Sequence, residues 1–188
     1  MTACARMDGL ILSPVYPQDA KTGGNAMAKK EAEAPLAPAD AVLRSFAIHN
    51  RIHLFLLDAI PAEVWSMPPP GGKGRSLAAL IAHIHSVRLM WLKAAGAKQM
   101  AAALEKTASI TEARTALEAS AAAMHDLLAK ALNGNGKIPG FKPDAWAFVA
   151  YLIAHEAHHR GQMLLLARQL GHSVDQKTSY GLWEWGVR

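Results

Sequence analysis

The stretch Pro143-Asp144-Ala145-Trp146-Ala147-Phe148-Val149-Ala150-Tyr151-Leu152-Ile153-Ala154-His155-Glu156-Ala157-His158-His159-Arg160-Gly161-Gln162, which stays apolar through Met163-Leu164-Leu165-Leu166 to Leu170-Gly171, decides the fold. Pro followed by Asp is a helix start, and Gly171 is a helix stop. Between them lies one long helix carrying three of the chain's nine histidines, with Glu156, Arg160 and Arg168 among its other polar positions.

Three further helices can be read upstream. Leu43, Phe46, Ala47, Ile52, Leu54, Phe55 and Leu57 give a broad apolar stripe over about 39–60, with Asp40 as a possible N-cap and Pro61 as terminator. Met67-Pro68-Pro69-Pro70-Gly71-Gly72-Lys73-Gly74 cannot lie inside a helix or a strand and forms the first long connection. Ser76 caps a second helix over about 77–96. The capping-box pattern Ser109-x-x-Glu112 opens a third, which ends near Asn133-Gly134. No internal repeat is visible. Four helices of this length imply an all-α fold, a four-helix bundle over residues 39–188.

Residues 1–38 lack periodicity and read as a disordered leader, with Met27 as an alternative true start. The aromatic end Tyr180-Gly181-Leu182-Trp183-Glu184-Trp185 either folds back onto the bundle or makes an oligomer contact.

Composition narrows the function classes. The chain has 188 residues, 51% of them hydrophobic, which suits one domain with a real core. A single cysteine, Cys4, excludes internal disulfides and thiolate-rich zinc schemes, so any metal must be held by histidine and carboxylate. The excess of 20 basic over 15 acidic residues is scattered, with no Lys/Arg run interleaved with aromatics, which argues against a nucleic-acid partner. No stretch approaches the roughly 20 apolar residues of a membrane span, and Gly9-Leu10-Ile11-Leu12 is too short for a signal peptide. Cytoplasm is the default location.

The histidines carry the chemistry. Positions 155 and 159 differ by about 40° around a helix and lie one turn apart, so two imidazoles can grip one ion from one face. Gln162 falls on the same face, while Glu156 points about 100° away from His155. A two-histidine clamp is incomplete, and the second helix offers His83 and His85 as candidates for the missing ligand. His83 shares a stripe with Leu80, Val87 and Met90 and is expected to face the core; His85 is expected to be exposed. Taken alone, His83 reads more readily as a core histidine bonded to a carbonyl; with an HxxxH clamp on another helix of the same bundle, the metal reading overtakes it.

His49 and His53 have the same spacing but no third ligand nearby in sequence, which favours a surface or interhelical hydrogen-bonding role. His125 and His172 have no suggestive context. His155-Glu156-Ala157-His158-His159 also satisfies HExxH, in which Glu156 would be the base of a metalloprotease. Gln162 stands where the extended form of that motif wants glycine, and no strand is visible to hold a peptide by edge pairing.

Three blocks together resemble a known family. They are Gly72-Lys73-Gly74-Arg75-Ser76 leading into Ala82-His83-Ile84-His85-Ser86-Val87-Arg88-Leu89-Met90-Trp91, then His155 to Gln162, then Leu182-Trp183-Glu184-Trp185. This pattern is similar to the DinB superfamily, also called DinB/YfiT-like metalloenzymes, over residues 39–188. The resemblance implies an up-down-down-up four-helix bundle, usually a homodimer. It also implies a nickel or zinc ion on His83, His155 and His159, with His158 not a ligand. Characterised branches of the family include thiol-dependent S-transferases and a thiol-dependent maleylpyruvate isomerase.

Three imidazoles leave a metal ion its full charge and an open position. With no core cysteine, a thiol nucleophile would come from a low-molecular-weight cosubstrate acting on a small-molecule electrophile; activation of water for hydrolysis is the alternative. Arg160 could pair with carboxylates of that thiol or make a structural salt bridge, Gln162 is expected beside the metal, and Glu156 and Asn50 are further pocket candidates. A non-catalytic reading remains, in which the metal pins helices together in a dimerisation module.

Overall fold

The computed structural model describes residues 35–188 except Gln99, so the expected leader lies almost wholly outside the described residues. Six helices follow in order: α1 Pro38–Ala59, α2 Ala62–Trp65, α3 Leu77–Ala94, α4 Ile110–Leu132, α5 Ala145–Gln169 and α6 Gln176–Gly181. The four long ones are those the periodicity predicts, and no strand occurs among the described residues.

Local chemistry sets their ends. Ser76 and Asp144 accept the backbone N–H groups of Ala79 and Ala147. Ser109 and Glu112 satisfy each other reciprocally in a complete capping box. At the far end of α5, Gly171 has φ +85°. Its N–H donates to Arg168, and that of His172 donates to Ala167, a Schellman motif that needs a left-handed residue. The two short helices carry no amphipathic signal of their own. α2 is held by the burial of Val64 and Trp65, and Trp65 Nε1 donates to the carbonyl of Ala108 at 2.7 Å.

α1 and α3 lie across the bundle from each other, each flanked by α4 and α5. The apolar core divides into two clusters. One gathers Ile52, Leu56, Ile81, Ile84, Leu117 and Met163; the other gathers Phe46, Leu92, Met124, Leu128, Phe148 and Leu152. Between them each long helix turns one or more polar side chains inward: His49, Asn50 and His53 from α1, Arg88 from α3, Ser120 from α4 and Glu156 from α5, all buried.

This layering fixes the chain direction. α1 and α5 run from the Phe46/Phe148 cluster towards the Ile52/Met163 cluster, whereas α3 and α4 run the opposite way. The order is therefore up-down-down-up among the long helices. The parallel pair α3 and α4 requires an overhand connection, supplied by the segment from Ala95 to Ser109. Fully burying each Leu or Phe contributes about 1.5–3 kcal/mol, so the clusters drive assembly and the polar layer constrains its register.

The C-terminal segment folds back. Leu182 is buried, the Arg188 guanidinium lies 3.7 Å from the centre of the Phe55 ring, and Gly181 is so close to that ring that a Cβ would meet Phe55 Cζ at 2.7 Å. Trp183 is left 80% exposed, so folding back does not use every aromatic of the tail. None of the helices among the described residues is long and apolar enough to cross a membrane.

Candidate metal centre

Among the described residues two groups of potential metal ligands occur, and α5 contributes to both. One is His83, His155 and His159; the other is His49, His53 and Glu156. Within each group the ligand atoms lie within 4.8 Å of one another. Helical phase separates the two: His155 and His159 face α3, while Glu156 and Arg160, a quarter turn further round, face α1.

In the first group, Nε2 of His155 and Nε2 of His159 are 3.1 Å apart. The His83 ring closes the group, its centroid 4.7 Å from that of His159 and 5.5 Å from that of His155. Zn–N bonds of about 2.0–2.1 Å in tetrahedral geometry place neighbouring nitrogens about 3.4 Å apart, so the donor set fits one divalent ion. The protonation state fits as well. Desolvation, followed by the charge of Arg75 and the neighbouring imidazoles, lowers His83 to about 4. Desolvation and His159 likewise lower His155. Neutral imidazoles are the form a metal ion requires.

Gln162 completes this group. Nδ1–H of His159 donates to Gln162 Oε1 at 2.7 Å, which leaves the His159 Nε2 lone pair pointing at His155. The amide nitrogen of Gln162 donates to Nε2 of the exposed His158 at 3.0 Å. His158 thus stays outside the cluster, in line with its phase on the helix.

The second group is more deeply buried and chemically different. Arg88, fully buried, grips Glu156 through two parallel bonds, Nε to Oε1 at 2.8 Å and Nη2 to Oε2 at 2.7 Å. Its remaining nitrogen donates to Asn50 Oδ1 at 2.9 Å and to the Leu117 carbonyl at 3.0 Å. Nε2–H of His49 donates to Glu156 Oε2 at 3.1 Å, and Nε2 of His53 lies 3.3 Å from the same oxygen. Arg160 Nη1 approaches His49 Nδ1 at 3.5 Å and His53 Nε2 at 3.4 Å.

Burial alone would raise the Glu156 carboxyl. The Arg88 charge and hydrogen bonds, with those of His49 and His53, outweigh it and hold the group well below the usual range. Desolvation pushes His53 down to about 3 and lowers His49. The group has donor types and spacing that could hold a metal ion, but every oxygen of Glu156 is already engaged. A dication placed there would also meet two guanidinium groups.

Several sequence expectations need correction. His85 is fully buried rather than exposed, because the Ala95–Ser109 connection folds over it; its Nε2–H donates to the Ala102 carbonyl at 2.7 Å. His83 is half-buried rather than core-facing: Val87 on its stripe is half-buried and Met90 is 51% exposed. The triad therefore lies between α3 and α5, only partly buried, with a groove lined by Leu80, Gln162 and Leu165 next to it. Glu156 and Arg160 join Asn50 of α1 in the layer on the other side of α5 rather than lining that groove. Arg88 is the important residue that sequence reasoning missed. Its phase with Ile81, Ile84 and Leu92, all with no exposed surface, was the available signal.

An up-down-down-up helical bundle with a histidine cluster bridging two of its helices defines a class of all-α proteins with a candidate interhelical metal site. Within that class the chain belongs to the DinB family, whose profile matches residues 27–185. No curated protein and no solved structure matches the chain.

Proposed function

We propose that His83, His155 and His159 hold one divalent ion, nickel or zinc, and that the protein uses it as a thiol-dependent S-transferase or isomerase on a small electrophile. The observation that carries this reading is the position of the triad: three imidazoles gathered beside a groove, with His83 and His155 only half-buried. Three ligands with an accessible side are a catalytic arrangement, whereas a structural site is closed by four.

A bound ion there supplies a Lewis acid that lowers the pKa of a thiol or water entering the open position. The protein's own groups do the rest. Gln162 fixes the His159 tautomer through Nδ1, and the apolar flank of the groove, Leu80 and Leu165, excludes water from one side of a bound electrophile. No cysteine lies among the described residues, so the thiol comes from a cosubstrate.

Metal-dependent hydrolysis is the second reading, favoured by the same open side. The zincin version loses its base, because Glu156 is locked by Arg88 and His49. The exposed Trp183 and Tyr180 are where we place the contact of a homodimer.

The test is conjugation of monobromobimane by zinc- or nickel-loaded protein with a panel of low-molecular-weight thiols. Metal-dependent acceleration that disappears in His159→Ala supports the transferase reading. Ester or amide hydrolysis without any thiol effect would replace it by the hydrolase.

A further inference from the structure

A groove of about 450 Å³ lies next to the triad, lined by Arg75, Leu80, Gln162, Leu165 and Leu166 among others and by none of the three histidines. It adjoins the histidines through Gln162, which lines it and hydrogen-bonds His159. Leu80 lies one turn before His83 on α3, and Leu165 is 53% exposed.

Its charges are one-sided. Among the described residues Arg75 is the one ionisable residue of the lining, and no acidic residue contributes to it. The arginines that find carboxylates among the described residues are Arg88, Arg114 and Arg188; Arg75 is not one of them. An exposed guanidinium beside an apolar wall makes a surface that lacks negative charge. A guanidinium offers parallel N–H donors matched to a carboxylate, which distinguishes it from a diffuse positive surface.

We propose that Arg75 is the specificity-determining residue of this groove: it pairs with a carboxylate on a substrate or cosubstrate whose apolar body lies against Leu80 and Leu165 and whose reacting end reaches the triad. The ligand class is a small amphipathic carboxylate. The assignment rests on the triad being the reactive centre, but the groove and its cation do not require a metal to be tested.

Phenylbutyrate and phenylbutyramide are matched in shape and differ in charge. Their binding is measured by ligand-observed NMR on metal-free and on zinc-treated protein. In metal-free wild type the carboxylate binds about tenfold more tightly than the amide, a difference of about 1.4 kcal/mol. Arg75→Gln abolishes that preference, Arg75→Lys restores part of it, and Arg114→Gln leaves it intact. Added salt weakens the carboxylate and not the amide. Equal affinity for the two probes in wild type, no carboxylate binding at millimolar concentration, or a preference that survives in Arg75→Gln would each overturn the assignment. A preference found in protein that takes up no zinc would uphold Arg75 while removing the metal reading beneath it.

Discussion

Gln162 and His159 are joined by a 2.7 Å hydrogen bond from the imidazole Nδ1–H to the amide oxygen. One turn of α5 thus contains both a candidate ligand and the group that sets its tautomer. A ligand histidine whose second nitrogen is held by a neighbour is pre-aimed and more basic, and loss of such a partner costs metal affinity.

Gln162→Leu should therefore weaken zinc binding by roughly 10–100-fold without unfolding the bundle, since Gln162 is exposed. Competition against a chelating dye reads the affinity, and circular dichroism checks the fold. Unchanged affinity would mean that the bond does not serve a metal ligand.

Arg88 and Glu156 predict a different behaviour. Arg88→Met leaves the buried carboxylate with only His49 and His53 as hydrogen-bond partners and should destabilise the protein by about 3–5 kcal/mol. Arg88→Met combined with Glu156→Leu should recover much of that loss, because the uncompensated charge is gone. Urea unfolding of the two variants checks it; an additive double variant would contradict the pairing.

Stability should also fall on acidification. His53 is unprotonated in the fold down to about 3 but titrates near 6.5 when unfolded. Below pH 6.5 the unfolded chain therefore binds more protons than the folded one, and stability declines as pH falls from 6.5 towards 3. Glu156 acts in the same direction lower down, since its carboxyl is held well below the ordinary value of 4.5, and its contribution is lost as pH falls beneath that value. Thermal melts of metal-free protein from pH 7 to pH 4.5 should shift steadily downward, with a shallower slope in His53→Leu.

His85 separates the two histidines of α3. His85→Ala should cost about 1–3 kcal/mol and raise amide exchange in the 97–108 segment, because the Ala102 carbonyl loses its donor. Zinc binding should be unaffected. A metal-affinity loss comparable to that of His83→Ala would place His85 in the site.

These contrasts show what the sequence carried and what it did not. Ser109, Asp144 and Gly171 announce helix ends because capping is local chemistry, and they sit where expected. The phase of 155, 159 and 162 is likewise local, and the side chains meet as the helical wheel requires. His85 is misjudged because the covering segment arrives from outside its helix, which no wheel displays. His49 and His53 look unpartnered because Glu156 stands more than a hundred residues away in the chain. Arg88 needed only its own helix to be noticed: a charge in phase with Ile81, Ile84 and Leu92 must be paired when those residues are buried.

The most direct test of the metal assignment is elemental analysis of protein purified from metal-supplemented cells, for wild type, His83→Ala, His159→Ala and a His49→Leu/His53→Leu double variant. The account predicts one nickel or zinc ion per chain in wild type and in the folded double variant, and loss of the ion in both single variants. Full metal retention in His83→Ala and His159→Ala, with loss confined to the double variant, would contradict it and move the centre to the buried layer around Glu156.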